Sequence, residues 1–318
     1  MILVFGGTTE GRKAVKTLDE GDGRYFYSTR GPLQEIECAH GEHISGEMTE
    51  PMMTEFCRSH SIKLIVDAAH PFAQHLHTTV AEVAAKLDIP VIRFERRYSQ
   101  IMCPGIIWCD NYDDAVTKMK NTDVHRLLAL TGVQTISKLQ SFWTENETWF
   151  RILDRDESKN KAIQIGFPES HLVFYKENDT AKLIEEIWPD AILTKESGDT
   201  GGFSEKVEAA AKRGVIIFAV RRPKLPDRFI VVDGRHGLRR EIEQRLPEFY
   251  SLHTGFTTGS CAVAAAKAAL TALLTGDKRN EVSFRIPEGE TMRMAVENVE
   301  IGSDSATASV IKDAGDDP

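Results

Sequence analysis

Short apolar runs alternate with helix-length amphipathic stretches along most of the chain, the pattern of parallel strands buried on both faces and covered by crossover helices. Residues 1–5 read as a strand, 9–20 as a helix, 25–29 and 64–68 as strands, 72–87 as a helix and 91–94 as a strand. The pattern then restarts. Strands are expected at 127–130, 149–153, 191–194 and 215–220, with helices at 202–213 and 238–246, the latter stopping before Pro247. The fold class expected is therefore α/β, with two Rossmann-like parallel-sheet domains over residues 1–125 and 126–250. No internal repeat is strong enough to indicate duplication. The run RRPKLP at 221–226 ends a strand and, with its two prolines, punctuates the second half without closing it.

From His253 the texture changes. A threonine and glycine turn leads into an alanine-dense helix at 262–274 and β-patterned segments at 282–286, 292–299 and 307–311. Residues 251–318 thus form a small α+β module, whose polar, glycine-containing end, DAGDDP, reads as a truncation. The alanine-dense helix suits either burial in its own module or packing in a homo-oligomer.

Composition narrows the classes. With 41% hydrophobic and 27% charged residues, the 318-residue chain is an ordinary globular protein, not a disordered one. Lys plus Arg number 39 against 48 Asp plus Glu, a net charge of −9, so the broad positive field that attracts nucleic acid is missing and no nucleic-acid partner is expected. No apolar run approaches the roughly 20 residues that cross a bilayer, and the first residues read as a strand entering a glycine turn, so no membrane association and a cytoplasmic location are expected. Cys38, Cys57, Cys103, Cys109 and Cys261 form an odd set without C-x-x-C spacing, which points to buried free thiols and not to disulfides or zinc.

Gly6, Gly7, Thr8, Thr9, Glu10 and Gly11 follow a strand and open a helix, where a dinucleotide-binding fold holds a pyrophosphate on backbone N–H groups. The spacing Gly6-x-Thr8-x-x-Gly11 puts threonine at the middle glycine, so the Thr8 and Thr9 hydroxyls stand in as donors; a tight turn with no ligand is the alternative. The next strand ends in Ser28, Thr29 and Arg30. An NAD site would place a carboxylate there for the ribose hydroxyl, whereas hydroxyls beside a guanidinium suit a 2′-phosphate, favouring NADPH over NADH; an arginine simply solvated in a loop is the alternative.

Asp67 to Ala73, DAAHPFA, lies where a later strand meets a helix, the end of an open sheet where ligands bind. His70 is a candidate proton donor or substrate contact, or caps its own helix. His75 and His77 do not converge with it on one helical face, so no metal site is expected. Arg93, Arg96 and Arg97 follow one strand; Arg221, Arg222 and Lys224 follow another in the second half. Such clusters in an acidic protein suit a substrate with several carboxylates, which arginine grips through paired hydrogen bonds. Residues 194–202, TKESGDTGG, form another strand-to-helix turn. Lys195, Ser197 and Gly198 there are a second candidate anion or cofactor contact, or Lys195 merely pairs with Glu196 in water.

Taken together, GGTTEGR at 6–12, STRG at 28–31, DAAHPFA at 67–73, IPVIRFERR at 89–97, TKESG at 194–198 and VRRPKLP at 220–226 resemble the precorrin-6A reductase family of corrin biosynthesis. The resemblance covers about the first 250 residues. It implies reduction of one ring double bond of (cobalt-)precorrin-6A by a pyridine nucleotide, on two Rossmann-like domains with the active site between them and a tetrapyrrole carrying acetate and propionate groups as substrate. Carried onto this chain, Gly6, Gly7, Thr8, Thr9, Gly11, Arg12, Ser28, Arg30, Ser197 and Gly198 would hold the cofactor. The arginines at 93, 96, 97, 221 and 222 would hold substrate, and His70 and Lys195 would serve the chemistry. Ala69 stands where the family has threonine. HTGFTTGSCAVAAAKAAL at 253–270 and KDAGDDP at 312–318 are similar to the beginning of the cobalt-precorrin-5B C1-methyltransferase family, a fusion in which S-adenosylmethionine would serve only a complete module. Two other functions stay open at this level: a non-catalytic macrocycle carrier for a methyltransferase, and an NADP-dependent reductase of a smaller anionic substrate.

Overall fold

The computed structural model describes residues 1–31, 36–96, 98, 105–176 and 179–316. It divides into two compact units, one of Met1–Glu95 with Leu225–Pro318, the other of Arg96–Lys224.

The first unit opens with β1 (Ile2–Phe5), α1 (Thr9–Leu18), β2 (Tyr25–Thr29), β3 (Gly41–Ser45), α2 (Glu50–Ser59), β4 (Leu64–Asp67), α3 (Gln74–Leu87) and β5 (Val91–Phe94). The second contains β6 (Ile106–Cys109), α4 (Tyr112–Asn121), β7 (Arg126–Ala129), the short α5 (Gln140–Trp143), β8 (Glu147–Ile152), α6 (Asp156–Gln164), β9 (Leu172–Phe174), α7 (Thr180–Ile187), β10 (Ala191–Lys195), α8 (Phe203–Ala211) and β11 (Ile216–Val220). The chain then returns to the first unit with β12 (Phe229–Val232) and α9 (Arg235–Arg245).

Each unit is built on a six-stranded sheet, in the orders β12-β5-β4-β1-β2-β3 and β6-β11-β10-β7-β8-β9. Every pairing in both is parallel. Alternation along β1 shows why the strands are apolar throughout. Ile2 and Val4 pack with Ala14, Val15 and Leu18 of α1 and with Leu238 and Ile242 of α9, while Leu3 and Phe5 pack on the other face with Met53 and Cys57 of α2 and Val80, Val83 and Ala84 of α3. Burial on both faces removes the polar alternation that a half-exposed strand would show.

The boundary expected near residue 125 falls at 95/96 instead. Residues 106–121 belong to the second unit because β6 pairs with β11. Conversely β12, a strand the pattern did not show, in a stretch assigned to the second half, completes the first sheet beside β5, and α9, also assigned there, packs on α1. The proline-punctuated run at 221–226 is where the chain crosses back. Each sheet thus takes its outermost strand out of sequential order, which local pattern does not reveal.

The carboxyl-terminal segment forms α10 (Thr258–Thr275), the antiparallel pair β13 (Glu281–Arg285) and β14 (Thr291–Ala295), and a second pair, β15 (Asn298–Ile301) and β16 (Ala306–Ser309). The strand expected over 292–299 is therefore broken in two. Thr257 caps α10 by accepting the Ser260 N–H, and Ala264, Ala268 and Ala272 line the buried face, packing with Phe256, Val282, Phe284, Met294 and Val299. Because the helix starts at Thr258, four residues before the expected 262, it reaches 18 residues with mean hydropathy 1.3, long and apolar enough by composition to cross a membrane. The segment is tied to α9 by a reciprocal exchange. Glu290 accepts the N–H groups of Arg235 and His236 at 3.1 and 3.0 Å, capping the helix, while Asp233 accepts the Thr291 N–H and hydroxyl at 2.8 and 2.7 Å.

Candidate active site

In an open doubly wound sheet the ligand crevice lies at the carboxyl ends of the strands where strand order reverses. That point falls between β1 and β4 in the first unit and between β7 and β10 in the second. The turn at residues 6–11 and the segment 68–72 flank the first; the turn after Leu130 and the segment 196–202 flank the second.

At the first switch point Thr8 is the N-cap of α1. Its hydroxyl accepts the Gly11 N–H at 3.0 Å and donates to the Ala68 carbonyl at 2.7 Å, stapling the two flanking loops together. This corrects the expectation that Thr8 offers its hydroxyl hydrogen to a phosphate: that hydrogen is committed to Ala68. Tyr27 reaches under the turn from β2 and accepts the Gly7 N–H at 3.0 Å. Gly7 itself has φ +87° and nothing within 4 Å of where a Cβ would stand, so an L side chain is strained there and the backbone is open to close approach. Thr9 and Arg12 are exposed on the first turn of α1. An open glycine at a strand-to-helix turn fits the phosphates of a dinucleotide.

At the end of β2, Ser28 is buried and its carbonyl accepts the Gly6 N–H at 2.9 Å. The Thr29 hydroxyl donates to Gly31 O at 2.9 Å and lies 2.7 Å from His43 Nε2. Arg30 stands in solvent, 3.3 Å from the equally exposed Glu47. Such a pair is worth about 0–1 kcal/mol, so a phosphate can displace the carboxylate at small cost.

Beneath the DAAHPFA segment lies a buried ion network. Asp67, fully buried, accepts the Ala69 N–H at 3.1 Å, Arg93 Nη1 at 2.8 Å and His77 Nδ1 at 2.6 Å. His77 Nε2 lies 3.2 Å from the His70 carbonyl, and Arg93 Nη2 donates to Glu95 at 3.2 Å. Burial pushes the Asp67 carboxyl up, but the Arg93 guanidinium and the His77 hydrogen bond outweigh it and hold it below the usual carboxylate range. Arg93 is therefore no substrate contact, contrary to expectation: it is 0% exposed because its side chain turns into the unit to neutralise two carboxylates. His70, half-buried at the turn above, accepts the Phe72 N–H on Nδ1 at 3.1 Å, which leaves Nε2 as the proton-bearing nitrogen of a neutral ring. Among the described residues no His, Cys, Asp and Glu side chains group as a metal site. Cys38, Cys57, Cys109 and Cys261 are free thiols, the middle two buried.

In the second unit Lys195 ends β10. Burial and then Lys138 push its ammonium down to about 8. Ser197 and Gly198 are buried; the Ser197 hydroxyl donates to Gly201 O at 3.1 Å, and its carbonyl accepts Arg96 Nη1 at 3.0 Å. Arg96 is thus buried, not extended into solvent. Arg97 lies outside the described residues, as does Cys103. Arg221 and Arg222 are exposed beyond β11, their guanidiniums over the rings of Trp108 and Tyr98 at 4.9 and 3.6 Å. Sequence reasoning passed over Tyr27 and Lys206, and weighed His77 only as a metal ligand. For Lys206 a signal existed: it sits within the buried helical set of Phe203, Val207 and Ala210, where a lysine is out of place.

Two doubly wound parallel sheets, each with a glycine turn at its switch point, define a Rossmann-like α/β protein of two domains. A family model described as "Precorrin-6x reductase CbiJ/CobK" matches residues 1–238, and the chain belongs to that family, which makes it an oxidoreductase of the cobalamin-biosynthetic type. A second model, "CbiD", matches residues 246–318. The chain is 29% identical over 247 residues to the cobalt-precorrin-6A reductase of Priestia megaterium, covering 71% of this chain and 91% of that one. It is likewise 29% identical over 238 residues to the protein of that name from Methanocaldococcus jannaschii, covering 70% and 91%. A solved structure titled "CobK precorrin-6A reductase" superimposes with a TM-score of 0.64 at 18% identity, covering 77% of this chain and 97% of that one, a likeness of fold. The carboxyl-terminal segment is 48% identical over 68 residues to the cobalt-precorrin-5B C(1)-methyltransferase of Geobacillus thermodenitrificans, of which it spans 18%.

Proposed function

We propose that this protein reduces a ring double bond of (cobalt-)precorrin-6A to give (cobalt-)precorrin-6B, with NADPH preferred over NADH. The observation that carries the reading is the family match over residues 1–238 combined with the open Gly7 turn at the first switch point. When bound, the nicotinamide supplies hydride. The protein's part is positioning and charge. Backbone around Gly7 and the first turn of α1, with Thr9 and Arg12 beside it, receives the pyrophosphate. Arg30 exchanges Glu47 for the 2′-phosphate. His70, with its loop fixed from below by His77, holds a proton at Nε2. Lys195, close to half-protonated near pH 8, is the second proton-holding group. Arg221 and Arg222, exposed after β11, meet carboxylates of the macrocycle. Methyl transfer from S-adenosylmethionine belongs to the whole methyltransferase fold, of which residues 246–318 match about a fifth.

Incubating the purified chain with precorrin-6A, in cobalt and metal-free forms, and following reduced-nicotinamide absorbance together with the macrocycle spectrum tests the reaction. Arg30→Ala should weaken NADPH by about tenfold or more, the worth of a charge-assisted hydrogen bond, while leaving NADH and stability nearly unchanged. Equal loss for both nucleotides removes Arg30 from the phosphate site; an unaltered macrocycle spectrum with every nucleotide removes the reaction.

A further inference from the structure

Helix α9 begins without the groups that normally open a helix. Its N-cap is Gly234, which has no side-chain oxygen, and its first turn holds no acidic residue. Both are supplied by the carboxyl-terminal segment. The two carboxylate oxygens of buried Glu290 accept the N–H groups of Arg235 and His236, and a Cβ on Gly234 would stand 1.9 Å from the Glu290 carboxyl carbon. Glycine is what lets the carboxylate reach the helix end. The contact also crosses from one family to the other, since the reductase match ends at residue 238 and the CbiD match starts at 246.

The rest of α9 is held in the same way. Buried Glu243 accepts the Thr254 N–H and hydroxyl at 3.0 and 2.8 Å. Arg240 pairs with Asp313 at 2.9 Å, its guanidinium over the Phe256 ring. On its other side α9 packs Leu238 and Ile242 with Ala14, Val15 and Leu18 of α1. Arg239 bridges Glu243 to Glu20, just beyond α1, at 2.9 and 2.7 Å, and Tyr250 donates its hydroxyl to the Thr17 carbonyl at 3.0 Å. All these residues belong to one compact unit, and α1 is the helix that the open Gly7 turn leads into.

We propose that Glu290 is a positioning residue for nucleotide binding: through α9 it fixes α1, so that the CbiD-type segment braces the cofactor site of the reductase. A module joined by a mere tether would leave α9 to supply its own cap. Here the loss of Glu290 takes the acceptor from two helix-end N–H groups. Docking of the segment and binding of the nucleotide favour the same placement of α1, so each strengthens the other by the same factor. That the ligand is NADPH rests on the functional reading above; the hold on α1 does not.

Hydrogen–deuterium exchange read by mass spectrometry on the full chain, with and without NADPH, tests this in the wild type, in Glu290→Gln and in the double variant Gly234→Ser/Glu290→Ala. An amide offers one acceptor oxygen where two N–H groups need acceptors. Glu290→Gln is therefore expected to speed exchange by about 3- to 30-fold, the range for a lost helix cap, both in 235–245 and in 9–18. NADPH affinity, read by fluorescence titration, is expected to fall by about 3- to 10-fold, of the order of one such contact. In the double variant the introduced hydroxyl can cap α9 from within, so protection of 9–18 and NADPH affinity return while 281–295 stays loosened. In the wild type NADPH is expected to slow exchange at 281–295, and to do so less in Glu290→Gln. The four tryptophans lie between residues 108 and 188, in the other unit, so unchanged tryptophan emission shows that a variant has not unfolded as a whole.

Faster exchange confined to 281–295, with 9–18 and NADPH affinity unchanged, overturns the proposal. A loss of affinity that the double variant does not regain overturns it as well. Should Glu290→Gln unfold the first unit outright, Thr254→Val, which removes one hydroxyl from Glu243, decides by the same exchange at 9–18. If the wild type binds no NADPH, the functional reading fails, and exchange at 9–18 alone decides whether the segment braces α1.

Discussion

Tyr27 reaches so closely beneath the first glycine turn that a Cβ on Gly6 would stand 2.2 Å from its hydroxyl oxygen and 2.3 Å from its ring, and one on Gly11 2.7 Å from the same oxygen. Two of the turn's glycines are thus required by the protein's own packing, and only Gly7, open to solvent at positive φ, is left to serve a ligand. The roles separate experimentally. Gly6→Ala should destabilise the fold by about 1–3 kcal/mol, the usual cost of an overpacked site, and adding Tyr27→Phe should not restore it, because the clash includes ring carbons. Urea unfolding of both variants checks this; recovery in the double variant would show that the hydroxyl alone had been in the way. A glycine pattern read as a nucleotide fingerprint can therefore be mostly a packing requirement.

Arg93 shows at the level of elements why some residues were misread. It is the register partner of Asp67 across the parallel pair β4 and β5, 26 positions away in sequence, and His77 joins from α3. The network binds strand, helix and strand into one block, and its members are adjacent only after the sheet has formed. Asp67 titrates below its ordinary value in the folded chain, so the stability it contributes is present above the unfolded carboxyl's range and is lost as pH falls through the lower, folded value. Asp67→Asn should cost about 3–5 kcal/mol near neutrality by breaking the buried Asp67–Arg93 pair and leaving Arg93 with Glu95 as its described carboxylate partner, and should flatten the acid limb of stability against pH. Urea titrations over the acid range check both; an acid limb as steep as that of the wild type would assign the loss to other carboxylates. The strands at 1–5, 25–29, 91–94 and 191–194 were legible because central parallel strands are apolar on both faces. By contrast β3, GEHIS, and β6, IIWC, are edge strands that are half-buried or mixed, and α6 carries a mostly polar sequence, so neither period stands out. At the candidate site the turns themselves were legible from their glycines and hydroxyls; the partners of those turns, Tyr27, His77 and Lys206, arrive from other elements.

For the whole molecule, the exchanged outer strands make the two units unequal in how they can be built. Residues 96–224 hold all of β6 to β11 in one continuous stretch, so the second sheet is complete once that stretch exists. The first sheet must wait for β12 and α9, because Leu238, Ile242, Leu246, Phe249 and Tyr250 belong to the same core as β1 and β2. A fragment of residues 1–125, the domain that local pattern suggests, would lack those side chains and expose apolar core along α1 and the strands beside it. Chain-entropy costs of roughly 1–2 kcal/mol per residue leave no margin for such a loss. The fragment 96–224 is accordingly expected to unfold cooperatively in urea, and 1–125 to show no cooperative transition. Further, 126–250 is expected to fare worse than 96–224, since it leaves β11 without β6. Cooperative folding of 1–125 would mean that the returning strand and helix merely cover a sheet already stable. The expected asymmetry would make the central unit the first to close during synthesis, with the glycine turn, although encoded at the start of the chain, among the last parts to gain its full support.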